Sequence, residues 1–326
     1  MCSHNLQVQR IRAIGLTVTS CDRSLDFYRQ ALDFELVCDI TVADEGYNNL
    51  EAVTGTKVRI VTLRLGNELI KLMEYLNFKG KPIPSDSQSN DLWFQHMAIV
   101  VSDMDRAYTH LRSFSIESIS VEPQTMPPDN EASAGVRAFK FKDPDGHDLE
   151  LIWFPPDKGQ EKWHQHTNRL FLGIDHSAIA VSNTEQSLHF YRDLLLMQID
   201  SRSLNWQSTQ TRLDNLPKAK VQITALRPVE DGVGIELLDY ILPGKGRSIP
   251  SDWKSYDIGH IQMELVVNNI EPLVDKLRHN QVQFLDSSFG DNQGYLIKDP
   301  DGHPILLIAE EDEENFQKST TESHAT

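Results

Sequence analysis

The feature that most constrains this chain is a repeat. Four places show an alternating apolar strand, a short polar joint and an amphipathic helix. They are IGLTV at 14–18 running into TSCDRSLDFYRQAL, HMAIVV at 96–101 into SDMDRAYTHLRS, HSAIAV at 176–181 into SNTEQSLHFYRDLL, and QMELVV at 262–267 into NNIEPLVDKLRH. A period of two marks a half-buried strand and a period of 3.6 a helix. Ser20, Ser102 and Asn183 stand in the joints, where a side-chain oxygen can cap the first helical turn. Alternating segments follow each helix, among them 58–65 and 68–75, 136–141, 220–228 and 233–240, and 294–299 and 304–310. Each unit therefore reads β-α-β-β-β. One such unit leaves a sheet face uncovered, so the units must pair to bury it.

A second repetition lies inside the first. FKDPDGHDLELI at 141–152 returns as IKDPDGHPILLI at 297–308. Asp145-Gly146 suits a two-residue hairpin turn, because Gly accepts positive φ without steric cost. On the return strand Leu149 and Leu151 face one way and Glu150 the other. A carboxylate among Leu149, Leu151 and Ile152 is costly unless a positive group meets it. The second copy has Leu306 in its place.

Composition closes off several function classes. The 326 residues suit two domains of ordinary size, and the net charge of −17 argues against nucleic acid or an anionic membrane as partner. The three cysteines, Cys2, Cys21 and Cys38, form neither a disulfide framework nor a zinc motif. No apolar run suits a signal peptide or a transmembrane helix, so a cytoplasmic location is expected. The expected division is a first domain at 8–155, a linker at 156–170, a second domain at 171–310 and an acidic, disordered tail at 311–326.

Paired βαβββ units, the SL-x-FY helix (24–28 and 187–191) and the DPDG-x-x-x-E-L ending resemble the vicinal oxygen chelate superfamily. Glyoxalase I, epimerases, extradiol dioxygenases and bleomycin-resistance proteins belong to it. The resemblance implies an α+β fold of four βαβββ modules forming two cupped, eight-stranded mixed sheets. It also implies up to two metal ligands per module, one on the first strand and one on the last. The first-strand position holds Ala13, His96, His176 and Gln262 in the four modules. The last-strand position holds Lys71, Glu150, Glu236 and Leu306.

Pairing decides the chemistry. If module one faces two and three faces four, neither cup has a full ligand set. If two faces three and one faces four, as the resemblance to glyoxalase I suggests, one cup holds His96, Glu150, His176 and Glu236. The other cup then holds Ala13, Lys71, Gln262 and Leu306 and is dead for metal. Two imidazoles and two carboxylates suit one divalent metal (Ni, Co, Zn, Fe or Mn) and do not choose among them.

Other residues carry blander readings. His147 and His303 are expected to face solvent at their turns, and His164 and His166 to lie in the linker. Tyr28 and Tyr191 are expected to pack their helices. Lys71 is expected to bind an anionic group or face solvent. His260 shares a strand face with Gln262.

The expected function is a metal-dependent enzyme of glyoxalase or epimerase type, a lyase or isomerase. A small molecule would chelate the metal through two adjacent oxygens and react beside a carbonyl through an enediolate. Glu150 or Glu236 is the candidate catalytic base. A non-haem Fe(II) ring-cleaving dioxygenase and a non-catalytic binding or resistance protein are the alternatives. A monomer suffices, because both cups are built within one chain.

Overall fold

The computed structural model describes residues 6–43, 53, 55–285 and 294–310. The acidic tail expected at 311–326 lies outside them. Module one comprises β1 (Val8–Thr17), α1 (Cys21–Leu32), β2 (Glu35–Val42), β3 (Val58–Leu65) and β4 (Glu68–Tyr75). Module two comprises β5 (Phe94–Val101), α2 (Met104–Leu111), the short β6 (Glu117–Ser118) and β7 (Gln124–Thr125), then β8 (Arg137–Lys142) and β9 (Asp148–Trp153). Module three comprises β10 (Phe171–Ala180), α3 (Thr184–Leu188, continued by a π-helical turn at His189–Leu194), β11 (Gln198–Asn205), α4 (Gln207–Asp214), β12 (Lys220–Arg227) and β13 (Gly234–Leu242). Module four comprises β14 (Ile261–Val267), α5 (Ile270–His279), β15 (Gln283–Phe284), β16 (Gly294–Lys298) and β17 (Pro304–Ala309). Helix α4, between β11 and β12, is not announced by the strand pattern.

The modules pair in the exchanged sense. One sheet runs β15-β16-β17-β14-β1-β4-β3-β2 and joins modules one and four. The other runs β11-β12-β13-β10-β5-β9-β8-β6, with β7 against β8, and joins modules two and three. Both sheets are mixed. The two central seams, β1 with β14 and β5 with β10, are antiparallel, while β1–β4, β5–β9, β10–β13 and β14–β17 are parallel. Each sheet thus draws on both halves of the chain. Their apolar faces meet over the helices in one continuous core that runs from Ile14 and Tyr28 to Phe139, Tyr191 and Leu307.

The helices start where side-chain oxygens cap them. Ser20 accepts from the Arg23 amide and Asn183 from the Gln186 amide. At α2 the cap is Asp103 rather than Ser102, accepting from the Asp105 and Arg106 amides. A carboxylate also favours the positive end of the helix dipole. No helix among the described residues is long and apolar enough to cross a membrane.

Candidate metal centre

Register places the four predicted residues on one face of one sheet. Across the β5–β10 seam His96 is opposite Ala178, and His176 is opposite Ala98. On the flanking parallel strands Glu150 is opposite Ala98 and Glu236 opposite Ala178. Residues two apart on a strand share a face, so both imidazoles and both carboxylates point the same way. The small Ala98 and Ala178 leave room between them.

The side chains converge. His96 Nε2 lies 3.3 Å from His176 Nε2 and 3.3 Å from Glu150 Oε2. His176 Nε2 lies 3.9 Å from Glu150 Oε2 and 3.4 Å from Glu236 Oε2. Ligand atoms of His96, Glu150 and His176 fall within 4.8 Å of one another, a group that can hold a metal ion. All three are buried. Glu236 stands beside the trio and is the more open carboxylate, its side chain 23% exposed against 6% for Glu150.

Outer partners fix both rings. His176 Nδ1 donates to Asp175 Oδ2 at 3.0 Å, and His96 Nδ1 is hydrogen-bonded to Gln95 Oε1. With the proton committed to Nδ1, each neutral ring turns a lone pair at Nε2 toward the other and toward Glu150. Three acceptors facing one another need a cation or a proton among them. This donor set therefore fits a divalent metal with mixed nitrogen and oxygen ligands.

Electrostatics without the ion show the same demand. Burial pushes Glu150 up, but His96, Lys140 and His176 outweigh it and bring its carboxyl down to about 2. Burial pushes His176 down, but Glu236, Asp175 and Glu150 lift it to about 9, so a proton stays at the centre. Burial dominates at His96, which falls to about 4 despite Glu150. Burial raises Glu236 despite His176, and the charges of Glu150 and Asp175 add to that rise. The two carboxylates are pushed in opposite directions.

The outer partners are themselves anchored. Asp175 accepts from Trp163 Nε1 at 2.9 Å, Gln160 Nε2 at 3.1 Å and Arg227 Nη2 at 2.9 Å. Trp163 and Gln160 belong to the segment read as a linker, which thus supports the centre. Gln95 Oε1 accepts from Lys140 Nζ at 3.2 Å, and Lys140 pairs with the buried Asp214 at 2.7 Å. A cavity of about 450 Å³ opens above the quartet, walled by α4, β11, β12 and the segment around Lys158.

Comparison with known proteins places this architecture. The family model for the Glyoxalase/Bleomycin resistance protein/Dioxygenase superfamily matches residues 10–151 and 173–307. The chain belongs to that superfamily. Among curated relatives, a 2-epi-5-epi-valiolone epimerase from Actinomyces sp is 28% identical over 150 residues, 44% of this chain and 79% of that protein. Among solved structures, glyoxalase I from Zea mays superposes with a TM-score of 0.65 at 16% identity, covering 97% of both chains. A putative dioxygenase from Bacillus subtilis gives 0.57 at 14% identity, covering 96% of this chain and 90% of its own. At such identities the solved structures speak for the fold alone.

The other sheet of this superfamily member has no such centre at the matching positions. Gly15 opposes both Gln262 and Lys71, and Ala13 opposes Glu264, so Ala13, Lys71, Gln262 and Leu306 fall where the quartet does in the first sheet. Of the two expectations for Lys71, binding an anionic group holds and facing solvent does not; the anion is a side chain of this protein. Lys71 is buried and pairs with Glu264 at 2.6 and 2.8 Å. Glu264, two residues beyond Gln262 on the same face, is the partner the repeat alignment passes over, because its counterpart in module two is Ala98. His260 Nε2 lies 3.0 Å from Gln262 Oε1.

The turn histidines are also corrected. His147 and His303 are buried, at 1% and 2% exposure. Their turns span five residues rather than two, with Lys142 paired to Asp148 and Lys298 to Pro304, and positive φ at Gly146 and Gly302. The longer loop folds the ring inward onto its own first aspartate. His147 Nδ1 meets Asp143 Oδ2 at 2.9 Å, and His303 Nδ1 meets Asp299 Oδ2 at 2.9 Å. Tyr28 and Tyr191 do more than pack. Their hydroxyls donate to those same carboxylates at 3.1 Å. His164 and His166 are exposed, in the segment read as a linker.

Sequence reasoning missed Asp175, Gln95, Lys140, Asp214, Arg227 and Trp163. A signal existed for two of them: Gln95 and Asp175 immediately precede the two histidines. The rest are brought in by tertiary packing alone.

Proposed function

We propose that His96, Glu150, His176 and Glu236 hold one divalent cation and that this chain is a lyase or isomerase acting beside a carbonyl of a small molecule. The observation that carries the reading is the convergence of three buried acceptors from two modules under a cavity. A cation at that point supplies Lewis-acid polarisation of adjacent substrate oxygens, which acidifies the neighbouring C–H. His96, His176 and Glu150 are the fixed holders, each buried and braced from behind. Glu236, the more open carboxylate, takes the proton from carbon and returns it. The epimerase among the relatives agrees with chemistry in which a proton leaves and returns.

Metal analysis of the purified protein tests the holders. About one equivalent per chain is expected, lost in the His96→Ala/His176→Ala double variant, and retention of metal by that folded variant rejects the quartet. Glu236→Gln is expected to keep the fold and to slow solvent-deuterium exchange at the substrate carbon by about 10²–10⁴-fold. Oxygen uptake with a catechol would instead favour a ring-cleaving dioxygenase, and metal-free binding a sequestering protein.

A further inference from the structure

The cavity above the quartet is ringed by carboxylates such as Asp157, Asp200, Glu230 and Asp231. A second cavity, of about 200 Å³, lies against the other sheet and has the opposite character. Residues of the module-four DPDGH turn and of the segment leading into β14 line it, and Lys254 and Lys298 are its two lysines. Among the described residues no aspartate or glutamate lines it, in a chain with 48 acidic residues against 31 Lys and Arg.

The internal repeat shows what is unusual about Lys298. Its counterpart Lys142 opposes Asp148 on one flanking strand and Glu117 on the other, and pairs with Glu117 at 2.8 Å. At the matching positions Lys298 opposes Pro304 and Gln283, both neutral and both in the cavity lining. Lys298 shares a sheet face with Leu296, which opposes Leu306, so it stands on the cup side of the sheet. Burial, and next the charge of Lys254, push its ammonium below its ordinary value. Neither lysine has an ion pair among the described residues. Asp252, whose charge Lys254 also feels, is paired with Lys81 and does not line the cavity. Two cations brought together without a counter-charge favour an anion from outside the chain.

The remaining wall is flat and apolar. Trp253 lies against Gly259, where an added Cβ would collide with its ring, and its ring centroid stands 5.6 Å from that of Trp93. Ile249 and Leu285 extend this wall. The volume is below the range of about 300–1,000 Å³ for drug-sized ligands and suits a single ring. We propose that this cavity binds a small aromatic acid, with Lys254 and Lys298 holding its carboxylate and Trp253 its ring. The lysines supply charge-assisted hydrogen bonds, and the indole supplies an offset or edge-to-face contact. The cavity shares no lining residue with the one above the quartet, so this site stands apart from the metal reading.

Calorimetric titration of the full chain, with its metal content measured alongside, tests this. The probes are benzoate, benzyl alcohol (the ring without the charge) and acetate (the charge without the ring). Benzoate should bind at least about tenfold more tightly than either of the others. Lys298→Gln should weaken benzoate about tenfold and preserve the metal content, whereas Lys142→Gln should leave benzoate unchanged. Lys254→Gln supplies the same comparison should Lys298→Gln not fold. The folded His96→Ala/His176→Ala variant should bind benzoate as the parent does, and loss of binding there would put the acid on the quartet and overturn the proposal. Absence of saturable benzoate binding at millimolar concentration overturns it too, as does equal binding of benzyl alcohol or acetate, or parent-like benzoate affinity in the lysine variants.

Discussion

At the scale of single residues, the two imidazoles are oriented by different means. His176 leans on a carboxylate, Asp175, which Arg227 and Trp163 hold in place. His96 leans on the Gln95 amide, which Lys140 and Asp214 anchor. A carboxylate behind an imidazole raises its donor strength, whereas an amide only orients it. Asp175→Asn is therefore expected to lower metal affinity about 10–100-fold. Gln95→Glu is expected to strengthen it or leave it unchanged. Competition against a chelator of known affinity measures both, and a neutral Asp175→Asn result would contradict the role given to Asp175. The quartet was legible because a repeat lets one module predict another. Lys140, Arg227 and Asp214 were not, because each meets the centre from a strand or helix whose sequence neighbours give no hint of the contact.

At the scale of the element, the DPDGH turn is a knot between modules in different sheets. Asp143 accepts from the Asp145 and His147 amides, from the His147 ring and from Tyr28 of module one. His147 Nε2 lies 2.8 Å from the Ile258 carbonyl oxygen, so the ring also reaches the segment that leads into β14. This explains why the FY pair and the DPDG phrase recur together: Tyr191 and Asp299 repeat the bond in the second half. Neither motif shows in isolation that it faces inward, since an Asp-Gly turn ordinarily lies in solvent. Burial pushes the His147 ring down, but the Asp143 carboxylate more than offsets it and lifts the ring from 6.5 to about 9. His147, with its folded pKa raised, contributes stability fully present below pH 6.5 and lost as pH rises through about 9. Burial pushes Asp143 up, yet His147 and the turn amides bring it below 3.8, so its share is lost only on the acid side of that value. Urea midpoints should accordingly fall between neutral pH and about pH 9.5. In Asp143→Asn that alkaline slope should flatten, with a loss of about 3–5 kcal/mol at neutral pH from the unpaired buried cation. A variant that keeps the parent slope would show that another group titrates.

At the scale of the whole molecule, the two sheets solve one problem in two ways. Each must hold a seam between modules that lie far apart in sequence, β5 with β10 and β1 with β14. The first seam gathers acceptors from both modules around a proton or, as proposed, a metal. The second has none at the matching positions, and Lys71 from β4 meets Glu264 from β14 instead. An ammonium thus supplies the positive charge in the second sheet. Its burial pushes Lys71 below its ordinary value even with Glu264 beside it, the mark of a charge kept dry by its partner. The four-module fold was legible because hydrophobic periodicity survives in every copy. The Lys71–Glu264 pair was not, because one of its members occupies a position that is Ala98 in module two. Lys71→Met should leave Glu264 buried without its cation and lower stability by about 3–5 kcal/mol. Chelating the proposed metal should lower it by a separate amount set by that metal's affinity and concentration, since an ion held by the folded chain alone would stabilise it. Because the Lys71–Glu264 pair and the quartet lie in different sheets, the losses should add to within about 0.5 kcal/mol. Melting the parent and Lys71→Met, each with and without chelator, measures the sum. A Lys71→Met loss that appears only with metal present would mean that the two cups are coupled rather than independent.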